Sequence, residues 1–170
     1  MEIKRNYYLQ KLIDRKNNHL IKIITGIRRC GKSYLLNHLF KNYLLENGVS
    51  EDHIIMVALD DDENVELLDS KKLREYINDR VIDEDIYYIL LDEIQLVSNF
   101  ESLLNGLLRK ENFDIYVTGS NSKFLSKDII TEFRGRGDEI RVYPLSFSEF
   151  YSSYDGNKED AWLEYYTYGG

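Results

Sequence analysis

One octapeptide constrains this chain more than any other stretch: residues 26–33 read Gly-Ile-Arg-Arg-Cys-Gly-Lys-Ser, the GxxxxGKS spacing. Two glycines at that separation let a backbone wrap an anion with its N–H groups turned inward, and a helix opening at the second glycine adds the positive end of its dipole. The motif has this meaning only between a buried strand and a helix, and both are legible. Residues 20–25 (Leu-Ile-Lys-Ile-Ile-Thr) form a short β-branched run ending at Gly26. Leu35, Leu36, Leu39, Phe40, Tyr43 and Leu44 then recur at helical spacing until Asn47-Gly48 supplies a stop. The candidate nucleotide-contacting residues are therefore Gly26, Ile27, Arg28, Arg29, Cys30, Gly31, Lys32, Ser33 and Tyr34. Lys32 has the reach to meet β- and γ-phosphates, and the Ser33 hydroxyl suits Mg²⁺. Cys30 is expected to matter through its backbone.

A second motif fits the first. Residues 86–91 are apolar and run straight into Asp92-Glu93, a hydrophobic strand that would deliver a carboxylate to the metal region. Asp92 is then the candidate metal ligand with Ser33, and Glu93 the candidate general base on an attacking water. Alone, an apolar run followed by two acids is weak. Placed after the octapeptide, with room for another strand and helix between, it is much stronger.

The remaining pattern alternates strands with helices. Tyr7, Tyr8, Leu9, Leu12 and Ile13 mark an amphipathic N-terminal helix, expected at the sheet edge or beside an adenine pocket. Residues 54–59 make a second strand. The acids at 60–63 after it read as a solvated loop, because four like charges in succession prefer water. Leu67, Leu68, Leu73, Tyr76 and Ile77 suggest a helix. Ser98 to Glu101 resembles a capping box before the stripe Phe100, Leu103, Leu104, Leu107 and Leu108. A strand over residues 114–118 ends in Gly119-Ser120-Asn121-Ser122, where Ser120 or Asn121 can meet a γ-phosphate or its attacking water, a satisfied turn being the alternative. Phe124, Leu125, Ile129, Ile130 and Phe133 suggest a helix broken by residues 134–137. A fifth strand is expected over residues 140–143 before Pro144, and Ser146 to Glu149 opens another helix. Such alternation implies a parallel α/β sheet with its ligand at the strand C-terminal ends.

Composition removes several classes. No apolar run approaches the ~20 residues of a membrane span, so no membrane partner is expected. A single cysteine excludes an internal disulfide and makes cytoplasmic residence the default expectation. The formal charge of −8 argues against broad electrostatic capture of nucleic acid, leaving only a small basic patch at Arg134, Arg136 and Arg141. Residues 157–160 spell the guanine-reading NKxD, but they follow a polar stretch rather than a buried strand, and residues 92–95 lack the glycine of DxxG. A small-molecule kinase would not need Glu93.

The segments GIRRCGKS, ILLDEIQ, YVTGSNS, GRGDEIRVYPLSFSEF and the terminal YGG together resemble a family of bacterial and archaeal AAA-type ATPases, in which the ATPase domain precedes a C-terminal domain. The resemblance implies a three-layer P-loop NTPase fold of AAA/RecA-like type, with about five parallel strands and an extra strand between those of Walker A and Walker B. It implies ATP and Mg²⁺ as ligands, Lys32 and Ser33 in Walker A, Asp92 and Glu93 in Walker B, and Ser120 or Asn121 at sensor 1. It also places Arg136 in a Gly-Arg element; read from the sequence, that Gly-flanked break suits either an arginine finger acting on a neighbouring subunit of a homo-oligomer or, equally, a surface arginine paired with Asp138 or Glu139. Residues 1–150 are expected to form the ATPase domain and residues 151–170 to begin a C-terminal helical segment that continues in relatives. The recipient of the ATPase cycle, a protein or DNA target, is not encoded here. A nucleotide-gated scaffold with little turnover is the competing reading.

Overall fold

The computed structural model describes residues 3–120, 131, 133 and 135–168. Five strands form one parallel sheet in the order β2-β3-β4-β1-β5: β1 (Ile21–Thr25), β2 (Ile54–Ala58), β3 (Tyr87–Asp92), β4 (Phe113–Gly119) and β5 (Gly137–Arg141). Every residue of β1, β3 and β4 is buried, which is why β3 reads as a continuous apolar run up to Asp92 rather than as an alternating one. Strand β4 separates β1 from β3, with Lys22 beside Tyr116 and Leu90 beside Tyr116 on its other side.

Helices cover both faces. On one side α1 (Asn6–Asp14) lies against the helix that follows β1 and against the edge strand β5, and its Tyr8 and Leu12 join Leu35, Leu36, Phe40, Leu44, Leu90 and Val142 in one core. It therefore sits on the sheet face near the β5 edge. The helix after β1 is continuous in backbone conformation: α2 (Lys32–Tyr34), a π-helical stretch Leu35–Phe40, and α3 (Lys41–Glu46). On the other side α4 (Ser70–Asn78) and α5 (Phe100–Leu108) pack Leu73, Ile77, Phe100, Leu103, Leu104 and Leu107 against Ile23, Ile89 and Ile115. Each such fully buried side chain contributes roughly 1.5–3 kcal/mol. Two short helices, α6 (Phe147–Ser152) and α7 (Lys158–Tyr168), complete the described chain.

Several local expectations change. Strand β5 starts at Gly137, earlier than its apolar residues suggest, because Asp138 and Glu139 of this edge strand find polar partners: Asp138 pairs with Arg15 at 3.0 Å and Glu139 accepts from Thr25 Oγ1 at 2.7 Å. The Ser98 capping box does not form. Asn99 is the N-cap in the left-handed region (φ 52°) without a side-chain cap, and the Ser98 N–H bonds the Leu68 carbonyl at 3.0 Å. Asn tolerates that conformation better than most residues. Leu67 and Leu68 belong to a 3-10 turn, Asp62–Leu68, separate from α4. The box at Ser146 forms as expected, both of its hydrogen bonds being present. The helix suggested by Phe124 to Ile130 lies outside the described residues.

At the N-terminal half of the sheet a buried ion pair closes the core. Lys22 Nζ donates to Asp114 Oδ1, to the Leu20 carbonyl at 2.8 Å and to Asn18 Oδ1 at 3.1 Å. Asp114 Oδ2 also accepts from the Tyr116 hydroxyl at 3.0 Å and from the Asn17 N–H at 3.1 Å. Burial lowers the Lys22 pKa against the pull of Asp114, and burial together with Asp114 pushes Tyr116 far upward.

Candidate functional site

The octapeptide leaves the C-terminal end of β1. Gly26 is required there by space, since a Cβ would stand 2.4 Å from the Val142 carbonyl oxygen and 2.7 Å from Cys30 Sγ. Gly31 is required by conformation, at φ 90° as the N-cap of α2. Lys32 is only 4% exposed, and its Nζ turns back to donate to the carbonyls of Gly26 (3.0 Å) and Ile27 (2.9 Å). A buried ammonium thus stands inside a loop that opens onto a helix start, whose first N–H groups lack intrahelical acceptors. Such a concavity attracts an anion.

Beside it stand the carboxylates. Asp92, the last residue of β3, is 3% exposed, and its hydrogen-bond donors are neutral: Thr118 Oγ1 on Oδ1, Asn37 Nδ2 on Oδ2 at 3.1 Å, and the Ser33 hydroxyl. Ser33 and Asn37 lie four apart on one helix and so share a face. Burial raises the Asp92 pKa above its ordinary value, with those hydrogen bonds opposing the rise. Glu93 follows in the left-handed region at φ 59°. That turn sends its N–H to Thr118 Oγ1 at 2.9 Å, while its carboxylate accepts from Gln95 Nε2 and from Ser120 Oγ at 3.0 Å. Thr118 joins the two acids: it accepts from Glu93 and donates to Asp92.

Two clefts flank the loop. One of about 410 Å³ is lined by Arg28, Asp60, Glu93, Gln95, Leu96 and Ser120. The other, about 220 Å³, is lined by Ile3, Arg5, Arg29, Cys30, Gly31, Tyr34 and Leu145. A further cleft of about 440 Å³ lies at the start of β2 with Glu51, Asp52, Arg80 and Ile82, and none of the residues above reaches it. The first two are formed by residues of the loop, and the larger of them also by Glu93.

A sequence model described as an AAA domain matches residues 18–151. The chain belongs to that AAA domain family. Among relatives of this AAA domain, an uncharacterised protein of Haemophilus influenzae is 35% identical over 174 residues, covering 99% of this chain and 43% of that protein. An uncharacterised protein of Methanocaldococcus jannaschii is 35% identical over 144 residues, covering 82% and 29%. The chain therefore spans less than half the length of these relatives. Among solved structures, a DNA replication initiation factor superposes with TM-score 0.59 at 18% identity, covering 92% of this chain and 53% of that one. AMPPCP-bound DnaA from Aquifex aeolicus gives 0.59 at 18% (91% and 52%), and C. elegans PCH-2 gives 0.57 at 18% (86% and 43%). At such identities these likenesses establish the fold, a P-loop NTPase α/β sandwich.

The AAA domain brings Gly26 to Ser33, Asp92, Glu93 and Ser120 to one sheet edge. Arg136 is elsewhere: its carbonyl accepts from the Ile21 N–H at 2.7 Å, at the opposite end of β1, and its Nη1 donates to Asn105 Oδ1 at 3.2 Å. Its side chain is exposed. Asn121 and Arg134 lie outside the described residues. Asn157 is a helix cap, accepting from the Asp160 N–H at 2.9 Å, which gives the NKxD tetrad a structural role. The acids at 60–63 are exposed, although Asp60 lines the larger cleft. Sequence reasoning missed Arg5, Asn37, Gln95 and Thr118. Only Gln95 and Thr118 carried a usable signal, Gln95 lying two residues after Glu93 of the motif that ends β3 and Thr118 lying one residue before the end of β4.

Proposed function

We propose that this domain binds ATP with Mg²⁺ and hydrolyses it to ADP and phosphate. The observation that carries the reading is the convergence on one sheet edge of the buried Lys32 ammonium, the Asp92–Glu93 pair and Ser120. Lys32 would exchange its bonds with loop carbonyls for contacts to the β- and γ-phosphates. The donor set fits a hard cation: a buried carboxylate, a hydroxyl, and Asn37, whose Oδ1 is buried without a partner. Ser33 and Asp92 would hold Mg²⁺, which supplies charge neutralisation between the β- and γ-phosphates when bound. Glu93 takes the proton of the attacking water, and Ser120 holds its carboxylate until then. The smaller cleft, floored by Gly31 and walled by Ile3, Tyr34 and Leu145, suits an adenine ring. Arg136, at the far end of the sheet, can serve only a neighbouring subunit's phosphates, so the reading includes a homo-oligomer. Residues 151–170 would begin a C-terminal helical segment, and the cycle would drive a protein or DNA target through sequence that the relatives carry outside the aligned segment. Among the described residues no helix is long and apolar enough to cross a membrane.

The competing reading, a nucleotide-gated scaffold, draws on one observation: Gln95 and Ser120 occupy the Glu93 carboxylate. Glu93→Gln separates the two. On the hydrolase reading, calorimetry shows ATP still bound while phosphate release falls by roughly 10²- to 10⁴-fold. Turnover that is negligible in the wild type as an oligomer and unaltered by the substitution would establish the scaffold instead.

A further inference from the structure

Arg5 is a residue that neither motif nor composition singles out, yet it is 3% exposed and distributes its guanidinium among three separate segments. Nη1 donates to the Cys30 carbonyl at 2.6 Å, in the middle of the phosphate-type loop. Nη2 donates to the Tyr143 carbonyl at 2.7 Å, just past β5. Nε donates to Glu149 Oε1 at 3.1 Å, in the first turn of α6. The other Glu149 oxygen, Oε2, accepts from the N–H and hydroxyl of Ser146 and so closes the cap of that helix. Burial tends to raise the Glu149 pKa, but the bonds from Ser146 and Arg5 hold it below its ordinary value.

The bond to Cys30 has a consequence inside the loop. A trans peptide points its carbonyl and the following N–H in opposite directions, and the described chain contains no cis peptide. Anchoring the Cys30 carbonyl outward on Arg5 therefore turns the Gly31 N–H toward the other side of that peptide, where a loop that wraps an anion needs it. The guanidinium also packs against the turn, since a Cβ on Gly31 would come within 3.2 Å of Nη1. At the other end, α6 buries no residue of its own and α7 buries only Ala161. Among the described residues, the long-range side-chain hydrogen bonds of the pair are Arg5–Glu149, which reaches the body of the domain, and that from the Tyr165 hydroxyl to the Leu145 carbonyl at 2.7 Å, which ties α7 to the segment just before α6. The two helices hold each other through Phe147, whose ring meets Trp162 at 4.9 Å and Tyr165 at 5.5 Å.

We propose that Arg5 is a positioning residue that couples the loop at residues 26–33 to the α6–α7 pair, so that nucleotide in the loop and the seating of the pair on Glu149 reinforce each other. The proposal rests on the nucleotide reading given above. Coupling of this kind is reciprocal: whatever loosens the Glu149 contact weakens nucleotide binding, and nucleotide binding steadies the helices. Arginine is needed because a planar fork serves three directions at once, which a lysine ammonium on a flexible stem does not reproduce.

The test uses the whole chain and two substitutions. Glu149→Gln retains a residue competent for the cap, but glutamine has one acceptor oxygen and cannot serve Ser146 and Arg5 together. Arg5→Lys removes the fork and keeps the charge. Trp162, the only tryptophan, reports on the α6–α7 pair by fluorescence, and ADP and ATP affinities are read by calorimetry. In the wild type, saturating nucleotide shifts the Trp162 emission. In both variants affinity falls by about 5- to 150-fold, and the emission shift is lost even at saturating nucleotide. A purely structural Arg5 would lower thermal stability while leaving affinity and emission shift intact, and that result in Glu149→Gln overturns the coupling. Wild-type chain that binds nucleotide without any Trp162 response overturns it too. Wild-type chain that binds neither ADP nor ATP overturns the nucleotide reading first, and the coupling with it.

Discussion

The two halves of the sheet each bury an aspartate, and the two are treated in opposite ways. Asp114 has its cation built in: Lys22 meets it inside the core, with the Tyr116 hydroxyl and the Asn17 N–H on its second oxygen. Asp92 is equally buried but is met by the neutral donors of Thr118, Asn37 and Ser33. A buried charge that already has its counter-ion is part of the architecture. One that has only dipoles around it is stored at a cost to stability, and that cost is relieved when a cation arrives. The difference separates an end of the sheet whose buried charge is matched internally from the end at which the proposed cation would be held.

The largest expected effect comes from breaking the first pair. Asp114→Asn leaves the Lys22 ammonium buried among too few acceptors and should destabilise the chain by about 3–5 kcal/mol, read from urea unfolding. Replacing both, Lys22→Met with Asp114→Asn, should recover much of that loss, because no charge is then left unmatched. If the single substitution costs nothing, the ion pair is not what closes that end.

Next in size is the ligand's own contribution. At concentrations near 100 times the dissociation constant, Mg²⁺ with ADP should stabilise the wild type by roughly 2.7 kcal/mol. Asp92→Asn should lose the Mg²⁺-dependent part of that gain in thermal shift. An equal gain in the variant would move the metal away from Asp92.

The smallest effect has the opposite sign from the first. Without ligand, Asp92→Asn should stabilise the protein by about 1 kcal/mol, since a desolvated charge is removed. Asn37 can accommodate the new amide, because its unpartnered Oδ1 accepts what its Nδ2 formerly met. The pH dependence follows from the raised Asp92 pKa. Above it the carboxylate is ionised in both states and the folded one bears the desolvation penalty. As pH falls through the raised value toward the ordinary 3.8, the folded state takes up the proton first and regains stability. The advantage of Asp92→Asn should therefore be largest at neutral pH, shrink through that window and vanish below it, as judged by parallel denaturation series.

Asp92 was legible in the sequence and Asp114 was not, for a physical reason. Asp92 ends an apolar run, so its position at a strand terminus could be read from its neighbours alone. Asp114 and Lys22 lie inside strands, and only the sheet order reveals that they face each other. The same division holds elsewhere. Local signals located the strands, the helical stripes among the described residues and the Ser146 cap, whereas Arg5 and Asn37 act through partners distant in sequence and belong to residue types that are common on surfaces. The left-handed Asn99 defeated the capping pattern at Ser98 because a four-residue pattern does not encode the backbone angle it needs. The start of β5 was hidden by Asp138 and Glu139, whose partners Arg15 and Thr25 come from the other end of the chain.

The sheet order also governs how the molecule is made. Strand β1 is synthesised first but pairs only with β4 and β5, and its contacts close loops as long as the 92 residues between Lys22 and Asp114 or the 114 between Thr25 and Glu139. Such parallel, non-local pairing is slow. The segment at residues 26–33 therefore waits on a nascent chain without its supporting neighbours, and a ligand has nothing to hold until most of the domain has emerged. Nucleotide added to a refolding mixture should consequently leave the folding limb of the chevron where it is and act on the unfolding limb alone.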